Sequence, residues 1–356
     1  MKLLIAGSID KNYIHLEAFG KALKKLQIEY LLVNDAEYAP GLSTKSVNQF
    51  LHPRKKFNEL IKEFKPDAVF VDRRTNFGIF TVKSKIPLFV YLRGDIWSEA
   101  KWASENSDLS ILKKINDFYR RKIIWDENFQ KSSLILPICV YLKNIVKERY
   151  PEKKIETMYQ GIIPSRWHPQ KGMSLKHPCV GLLQGAVIWG KVQEMLILDD
   201  VLEKFPHITF YWAGDGPYRD KILPILNKHS NFKWLGHLDY PNKVREYLTE
   251  IDVYALVSGI DMAPLTLQEA QLMEKPVIAT NVGGIPELMQ DGITGFLVEK
   301  GNSKDLSEKI SLLINDEKRV KEMGRLGRKF IKEKFSWDII AQDFVNILKK
   351  NDLLKN

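Results

Sequence analysis

The chain has few cysteines and no long hydrophobic run, and both absences exclude classes of protein. Cys139 and Cys179 are the two cysteines among 356 residues. They are too few for a disulfide-rich secreted scaffold, so a reducing cytoplasm is expected. The most apolar later stretch, Leu134–Leu142, contains Pro137 and is far shorter than a membrane span. The apolar start at residues 1–9 is too short for a signal peptide and predicts a strand. We therefore expect a cytoplasmic protein that at most lies on the inner membrane face.

Motifs for common cofactors are also missing. No G-x-G-x-x-G follows the first predicted strand, so the sequence does not favour dinucleotide binding of the dehydrogenase kind. The seven histidines show no metal-ligand spacing, and no D-x-D motif offers a site for a divalent cation. The lysines and arginines are not accompanied by a recognised nucleic-acid-binding motif. We predict no cofactor, no metal ion and no nucleic-acid partner.

Positive charge is in excess. Lys and Arg number 54 against 44 Asp and Glu, a formal net charge of +10, which indicates an anionic partner or serves solubility. Two predicted basic helices, Pro53–Phe64 and Ser107–Glu127, concentrate this charge, and Trp97, Trp102 and Trp125 lie near them in the sequence. The basic faces are either solvated or dock on an anionic membrane surface. Both interpretations stay open.

The rest of the sequence alternates short apolar strands with amphipathic helices, twice over. A strand, a loop, a helix and a second strand within residues 2–33 are typical of a Rossmann-like unit. The alternation stops at the segment Tyr159–Pro169, which contains glycine and proline, and restarts at Cys179. We therefore predict an α/β fold with two domains, 1–168 and 169 onwards.

The stretch Asp261–Val298 carries the densest chemistry. Asp261 and Glu269 lie on either side of a helix start predicted at Thr266. A helix N-terminus presents free N–H groups and the positive end of the helix dipole, which suits a phosphate. Two carboxylates beside such a site indicate that hydroxyl groups are recognised there. The alternative is an ordinary βα unit whose carboxylates only cap helices.

Several ordered motifs resemble one known family. They are GDGP at 214–217, WLGHL at 234–238, the acidic pair with PVIAT, GG, PE and TGFLV at 261–298, FSW at 335–337, and YQGIIPSRWHP at 159–169. The chain resembles the retaining, nucleotide-sugar-dependent glycosyltransferases of the GT-B fold in family 4. The resemblance implies two Rossmann-like domains that face each other across a cleft. It also implies a C-terminal helix, 336–356, that crosses back to the N-terminal acceptor domain, which leaves 169–335 as the donor domain.

The resemblance also implies roles for individual residues. Glu269 would hydrogen-bond the ribose, Asp261 would meet a hydroxyl of the transferred sugar, and Lys191 would neutralise the leaving group. Backbone N–H groups at the helix start would hold the diphosphate. We predict Lys191, Asp261 and Arg93 as catalytic residues. The predicted substrate-binding residues are Gly7, Gly185, Ala186, Gly214, Leu238, Ala263, Pro264, Leu265, Thr266 and Glu269. The acceptor would be a glycan, a glycolipid or a lipid-linked sugar of a surface polysaccharide such as lipopolysaccharide.

Departures from the family pattern leave alternatives open. Ala186 stands where family members commonly have Arg, Asp261 is the shorter acid, and Arg93 stands where a His is frequent. Two interpretations stay open. In the first, the chain is an active enzyme in which Arg93 replaces part of the missing positive charge. In the second, it is a GT-B protein that binds ligand without turnover. Alternatively, Arg93 has only a structural role, as the partner of Asp95. A third reading is a phosphorylase or sugar-phosphate synthase with a phosphate pocket formed by Arg73, Arg74 and Arg93.

Overall fold

The computed structural model describes residues 1–8, 13–39, 54–73, 75–105 and 124–354, apart from the side chains at 102–105. It divides into two compact units, Met1–Gly161 with Trp337–Asn356, and Ile162–Ser336. The sequence places the corresponding boundaries at 168/169 and 335/336. The predicted helix Ser107–Glu127 lies almost entirely outside the described residues, which resume at 124.

The first unit is a parallel sheet in the order β2-β1-β3-β4-β5. Strands β3, β4 and β5 are buried along their whole length, as expected when helices cover both faces of a parallel sheet. The strands are β1 Lys2–Gly7, β2 Glu29–Asn34, β3 Ala68–Asp72, β4 Leu88–Leu92 and β5 Leu134–Pro137. The described helices are Tyr13–Lys25, Asp35–Tyr38, Lys55–Phe64, Asn76–Lys83, Ile96–Glu105, Asp126–Lys131, Val140–Arg149 and Trp337–Lys350.

The last helix, Trp337–Lys350, belongs to this first unit, as the resemblance implies. The Trp337 ring packs 5.5 Å from Phe19 between centroids, and Phe344 lies edge-on to Phe19 at 5.3 Å. Gly161 lets the chain pass under the Trp337 indole, because a Cβ at that position would collide with the ring. Lys25 adds a 2.7 Å ion pair to Asp338. The C-terminal segment is therefore part of the packing of the first sheet.

The second unit is a parallel sheet in the order β11-β10-β9-β6-β7-β8. Its strands are β6 Cys179–Leu183, β7 Thr209–Ala213, β8 Phe232–Gly236, β9 Val253–Leu256, β10 Val277–Thr280 and β11 Gly295–Val298. Its α-helices are Trp189–Val192, Leu198–Lys204, Arg219–Leu226, Asn242–Glu250, Leu265–Leu272, Ser303–Ile314 and Glu317–Phe335. Three 3₁₀ turns, Pro164–Arg166, Gln193–Ile197 and Ile285–Leu288, join them.

The structure corrects some of the predicted elements. The sequence after β6 predicts a single helix over 191–205, but the structure has two α-helical pieces joined by the 3₁₀ turn Gln193–Ile197. Within that turn Glu194 points inward and accepts the Gly301 N–H at 2.6 Å. Pro286 after two glycines predicts the first position of a second helix, but the structure has one 3₁₀ turn, Ile285–Leu288, which the chain leaves in an extended conformation at Met289. Among the described helices, none is both long and apolar enough to span a bilayer.

Candidate functional site

Three loops meet at the carboxyl edge of the second sheet. Strand β9 pairs with β6 on one side and with β10 on the other, so the segments that follow these strands leave from adjacent positions. Backbone hydrogen bonds join them: Gly259 N–H donates to Lys191 O, and Gly284 N–H donates to Asp261 O, each at 2.9 Å. This is the edge at which open α/β sheets bind ligands.

Lys191 and Asp261, two of the predicted catalytic residues, form an ion pair here. Lys191 Nζ lies 3.0 Å from Asp261 Oδ1, with the Lys and Asp side chains 32% and 18% exposed. Gly283 packs against the main chain of Asp261. Its φ is +58°, and a Cβ at position 283 would collide with the Asp261 carbonyl oxygen. The left-handed backbone and the close approach together require glycine at 283. The pair therefore sits on a constrained loop and still reaches solvent.

The helix Leu265–Leu272 begins directly after this pair. Its N-cap is Pro264, and no side chain caps its first N–H groups in the described part of the chain. A hydrogen bond connects the helix start to strand β9, because the hydroxyl of the buried Tyr254 donates to Thr266 Oγ1 at 2.8 Å. Ala263, Leu265 and Thr266 are half-buried and Pro264 is buried. The arrangement offers polarised N–H groups to an anion next to a lysine ammonium.

Glu269 lies one turn further along this helix and is 2% exposed. The hydroxyl of Tyr240 donates to its Oε1 at 3.0 Å. Burial and the neighbouring carboxylate raise the pKa of Tyr240 well above its usual value, so the hydroxyl keeps its proton and remains a donor. Glu269 is thus a buried carboxylate that accepts a hydrogen bond from a residue outside its own helix.

The loops after β6 and β7 are joined by main-chain hydrogen bonds. Ala186 N–H donates to Asp215 O at 2.9 Å, and Tyr218 N–H donates to Ala186 O at 3.0 Å. The Ala186 side chain is fully buried in the core. Its main-chain N–H and carbonyl are both engaged within the protein, by Asp215 and Tyr218. Gly185 is exposed, and Gly214 and Leu238 are half-buried.

An arginine lies near this loop although position 186 is alanine. Arg219 is 2.9 Å from Asp215 and lies over the Trp234 ring, with its guanidinium 5.2 Å from the centroid. The Trp234 indole N–H donates to Gly214 O at 2.8 Å. Arg219 therefore links the loop after β7, which contains Gly214, to strand β8.

Arg93 and Gly7 lie in the first unit. Arg93 Nε is 2.7 Å from Asp72 Oδ1, and both side chains are buried or nearly so. The expectation that Asp95 is its partner is wrong. Asp95 instead accepts the N–H groups of Trp97 and Ser98 at the start of helix Ile96–Glu105. Gly7 is buried next to Asp72, whose Cβ would lie 3.3 Å from a Cβ at position 7.

The predicted phosphate pocket of three arginines is described only in part. Arg73 is described and has φ +74°, and Arg74 lies outside the described residues. Sequence reasoning missed Asp72 and Tyr240. Asp72 ends β3 at the carboxyl edge of the sheet and so carried a signal of position, whereas nothing in the sequence near Tyr240 pointed to Glu269.

A second polar cluster lies at the opposite edge of the second sheet, where β6 and β9 begin. The His177 ring bridges two carboxylates, Asp252 at 2.9 Å through Nδ1 and Glu250 at 3.0 Å through Nε2. These hydrogen bonds, that to Asp252 first, raise the pKa of His177. Cys179 and Lys275 lie within electrostatic reach of the carboxylates. His177, Cys179 and Asp252 offer donors within 4.8 Å of one another, and the imidazole is already satisfied by its two acids. The absence of a metal stays a prediction.

Comparison with known proteins shows a similarity to one family. Residues 193–330 match the family model described as glycosyl transferases group 1. An uncharacterized glycosyltransferase of Methanocaldococcus jannaschii is 31% identical over 209 residues, covering 58% of this chain and 56% of the relative. Alpha-maltose-1-phosphate synthase of Mycolicibacterium smegmatis is 32% identical over 250 residues, covering 62% of this chain and 64% of the relative. The chain thus spans less than two thirds of either relative.

A solved structure agrees with the fold. Anabaena HepE in complex with UDP-glucose superposes with a TM-score of 0.69 at 16% identity, covering 98% of this chain and 100% of that one. The two parallel-sheet units have the GT-B fold. The matched segment of the second unit, 193–330, is similar to the glycosyl transferases group 1 family.

Proposed function

We propose that the chain is a retaining glycosyltransferase of family 4 that moves a sugar from a nucleotide-sugar to a glycan, glycolipid or lipid-linked acceptor. One observation carries the proposal: the 3.0 Å pair Lys191–Asp261 precedes a helix start that no side chain of the described residues caps. When a nucleoside diphosphate departs, negative charge develops on its phosphate oxygens. An ammonium group and helix N–H groups stabilise that charge.

The proposed roles follow from position. Glu269 holds the ribose hydroxyls, the main chain at 263–266 holds the diphosphate, and Asp261 accepts a hydrogen bond from the transferred sugar. Lys191 neutralises the leaving phosphate. The bond between the anomeric carbon and the phosphate oxygen breaks, and a bond to the acceptor oxygen forms on the same face. The acceptor proton passes to the departing phosphate, so no protein nucleophile is required.

The similarity of residues 193–330 to this family supports the nucleotide-sugar part of the proposal, and HepE is described in complex with UDP-glucose. The test is a thermal-shift and transfer screen with UDP-, GDP- and ADP-sugars. A ligand that binds only the folded state at a hundred times its Kd stabilises that state by about 2.7 kcal/mol. We expect one donor to raise the Tm, Glu269→Ala to remove the shift and Lys191→Ala to reduce it.

The matched control is Lys332→Ala, because Lys332 is an exposed lysine in the last turn of helix Glu317–Phe335. It keeps the folded unit and changes the net charge by the same amount as Lys191→Ala. If all three variants respond to the donor like the unmodified chain, the donor site lies elsewhere.

A sugar-phosphate synthase is the second candidate, because alpha-maltose-1-phosphate synthase is among the relatives. Glucose 1-phosphate and inorganic phosphate, offered as acceptors beside an oligosaccharide, distinguish the two candidates. Donor binding with no product from any acceptor would favour the non-catalytic alternative, for which Ala186 is the sequence argument.

Action in the cytoplasm and docking on an anionic inner membrane face are proposals of the same kind. They rest on the basic helix Lys55–Phe64, in which Phe57 and Leu60 are buried while Lys55 and Lys56 are exposed. Liposome flotation with anionic and neutral vesicles, at low and high salt, tests the docking. Equal flotation with both vesicle types would contradict it.

A further inference from the structure

Tyr240 joins two parts of the second unit that are far apart in sequence. It lies in the segment that follows β8, and its hydroxyl donates to Glu269 Oε1 at 3.0 Å across 29 positions. The Tyr240 ring packs against Trp167 with 5.9 Å between centroids. The residue is 47% exposed overall, so its hydroxyl reaches a buried acid from a position at the surface.

A buried carboxylate needs donors. Glu269 is 2% exposed, and an ionised carboxylate held away from water is costly unless hydrogen bonds compensate it. A bond from a neutral phenol both favours the charged form and sets the direction of the carboxylate plane. A carboxylate accepts about four hydrogen bonds through its two oxygens, and the Tyr240 hydroxyl supplies one of them.

We propose that Tyr240 is the positioning residue that orients Glu269 toward the ribose hydroxyls and thereby sets the preference for ribonucleotides over nucleotides that lack them. The inference rests on the proposed function, in which Glu269 meets the ribose. Tyr240 acts through Glu269 in this account and makes no contact with the reacting atoms. Its loss changes the recognition of the sugar ring and leaves the diphosphate contacts in place.

The test compares ribonucleotide and dideoxyribonucleotide binding to the full chain and to Tyr240→Phe. Kd values are measured by calorimetry for UDP, GDP and ADP and for their 2′,3′-dideoxy counterparts. In the unmodified chain the preferred ribonucleotide binds more tightly than its dideoxy form. In Tyr240→Phe we expect the ribonucleotide Kd to rise about tenfold, since hydrogen bonds to charged groups are worth about that or more. The dideoxy Kd stays unchanged, so the ratio between them collapses.

Two controls separate positioning from a general structural effect. Tyr150→Phe removes the same type of bond in the first unit, where the Tyr150 hydroxyl donates to Asp126 Oδ1 at 2.8 Å. It leaves both Kd values unchanged. The pair Glu269→Gln and Tyr240→Phe/Glu269→Gln forms a double-mutant cycle, and Tyr240→Phe adds no further loss once Glu269 is neutral.

Each outcome decides between the two proposals. A Tyr240→Phe loss of equal size for ribo- and dideoxynucleotides, or tighter ribonucleotide binding, overturns the positioning role. The positioning role is also overturned if Tyr240→Phe leaves the ratio of dideoxy to ribonucleotide Kd unchanged while Glu269→Gln abolishes the preference for the ribonucleotide. In that case the proposed donor site still stands. If the unmodified chain binds none of the nucleotides, the proposed function fails and this inference fails with it.

Discussion

Replacement of Lys191 by Met gives the sharpest prediction, because stability and catalysis should respond very differently. The substitution keeps the aliphatic stem and removes the ammonium group that lies 3.0 Å from Asp261. Breaking a fully buried pair costs about 3–5 kcal/mol and an exposed pair about 0.2–1 kcal/mol. With side chains 32% and 18% exposed, we expect the free energy of unfolding to fall by about 1–2 kcal/mol.

We expect Lys191→Met to lower the rate of sugar transfer by a larger free energy than it lowers stability. Removal of one group that stabilises developing charge typically lowers the rate constant by about 10²–10³-fold, or about 3–4 kcal/mol. Lys191 faces that charge only as the diphosphate leaves, so kcat falls while donor Kd changes less. The assays are urea unfolding and initial rates at saturating donor, with Lys332→Met as the control for a lost surface charge.

The reasoning fails if Lys191→Met keeps kcat within tenfold of the unmodified chain. It also fails if the variant Lys191→Met/Asp261→Asn regains the rate, since that would make the unpaired Asp261 carboxylate the cause of the loss. Recovery of stability alone in the double variant is expected, because both members of the ion pair are then neutral.

Three further predictions concern stability. Gly216→Ala should cost about 2–4 kcal/mol in urea unfolding, since φ is +151° and a Cβ would lie 2.5 Å from a main-chain carbonyl. Gly292→Ala, with φ +73° and open space, should cost about 1 kcal/mol, and equal losses would contradict the steric argument. Arg93→Ala should cost about 3 kcal/mol, because Asp72 is left buried, and a loss below about 0.5 kcal/mol would contradict it. For His177 the pKa is raised on folding, so its stabilisation is present below the unfolded value of about 6.5 and is lost as pH rises through the folded value. The stability difference from His177→Gln should therefore be larger at acidic than at alkaline pH, and a constant difference would refute this.

The partner of Arg93 shows where sequence reasoning stopped. Asp95 is two positions from Arg93 and is therefore the partner that local sequence favours. Its side chain instead accepts hydrogen bonds from N–H groups at the start of the helix that follows. Asp72 is the actual partner because β3 pairs with β4 in a register that sets Asp72 against Tyr91. That register places the ends of both strands, and therefore Asp72 and Arg93, at one edge of the sheet. A register between strands is not readable from either strand alone.

The acidic stretch shows the opposite case. Asp261, the helix start and Glu269 are close in sequence, and short-range pattern was enough to predict a loop that leads into a helix. The structure begins that helix at Leu265, one residue before the predicted start at Thr266. The separation of the two acids along one helix entry follows from local geometry.

Local periodicity and turn chemistry are written in neighbouring residues, so the chain alone indicated its α/β alternation, its two domains and the helix start that carries Asp261 and Glu269. The contacts between segments are different in kind. Within the second unit, Lys191 with Asp261 and Tyr240 with Glu269 join residues that the fold brings together. Arg93 with Asp72 does the same within the first unit. Each pair is a contact between segments, and its geometry exists only when the sheets have formed.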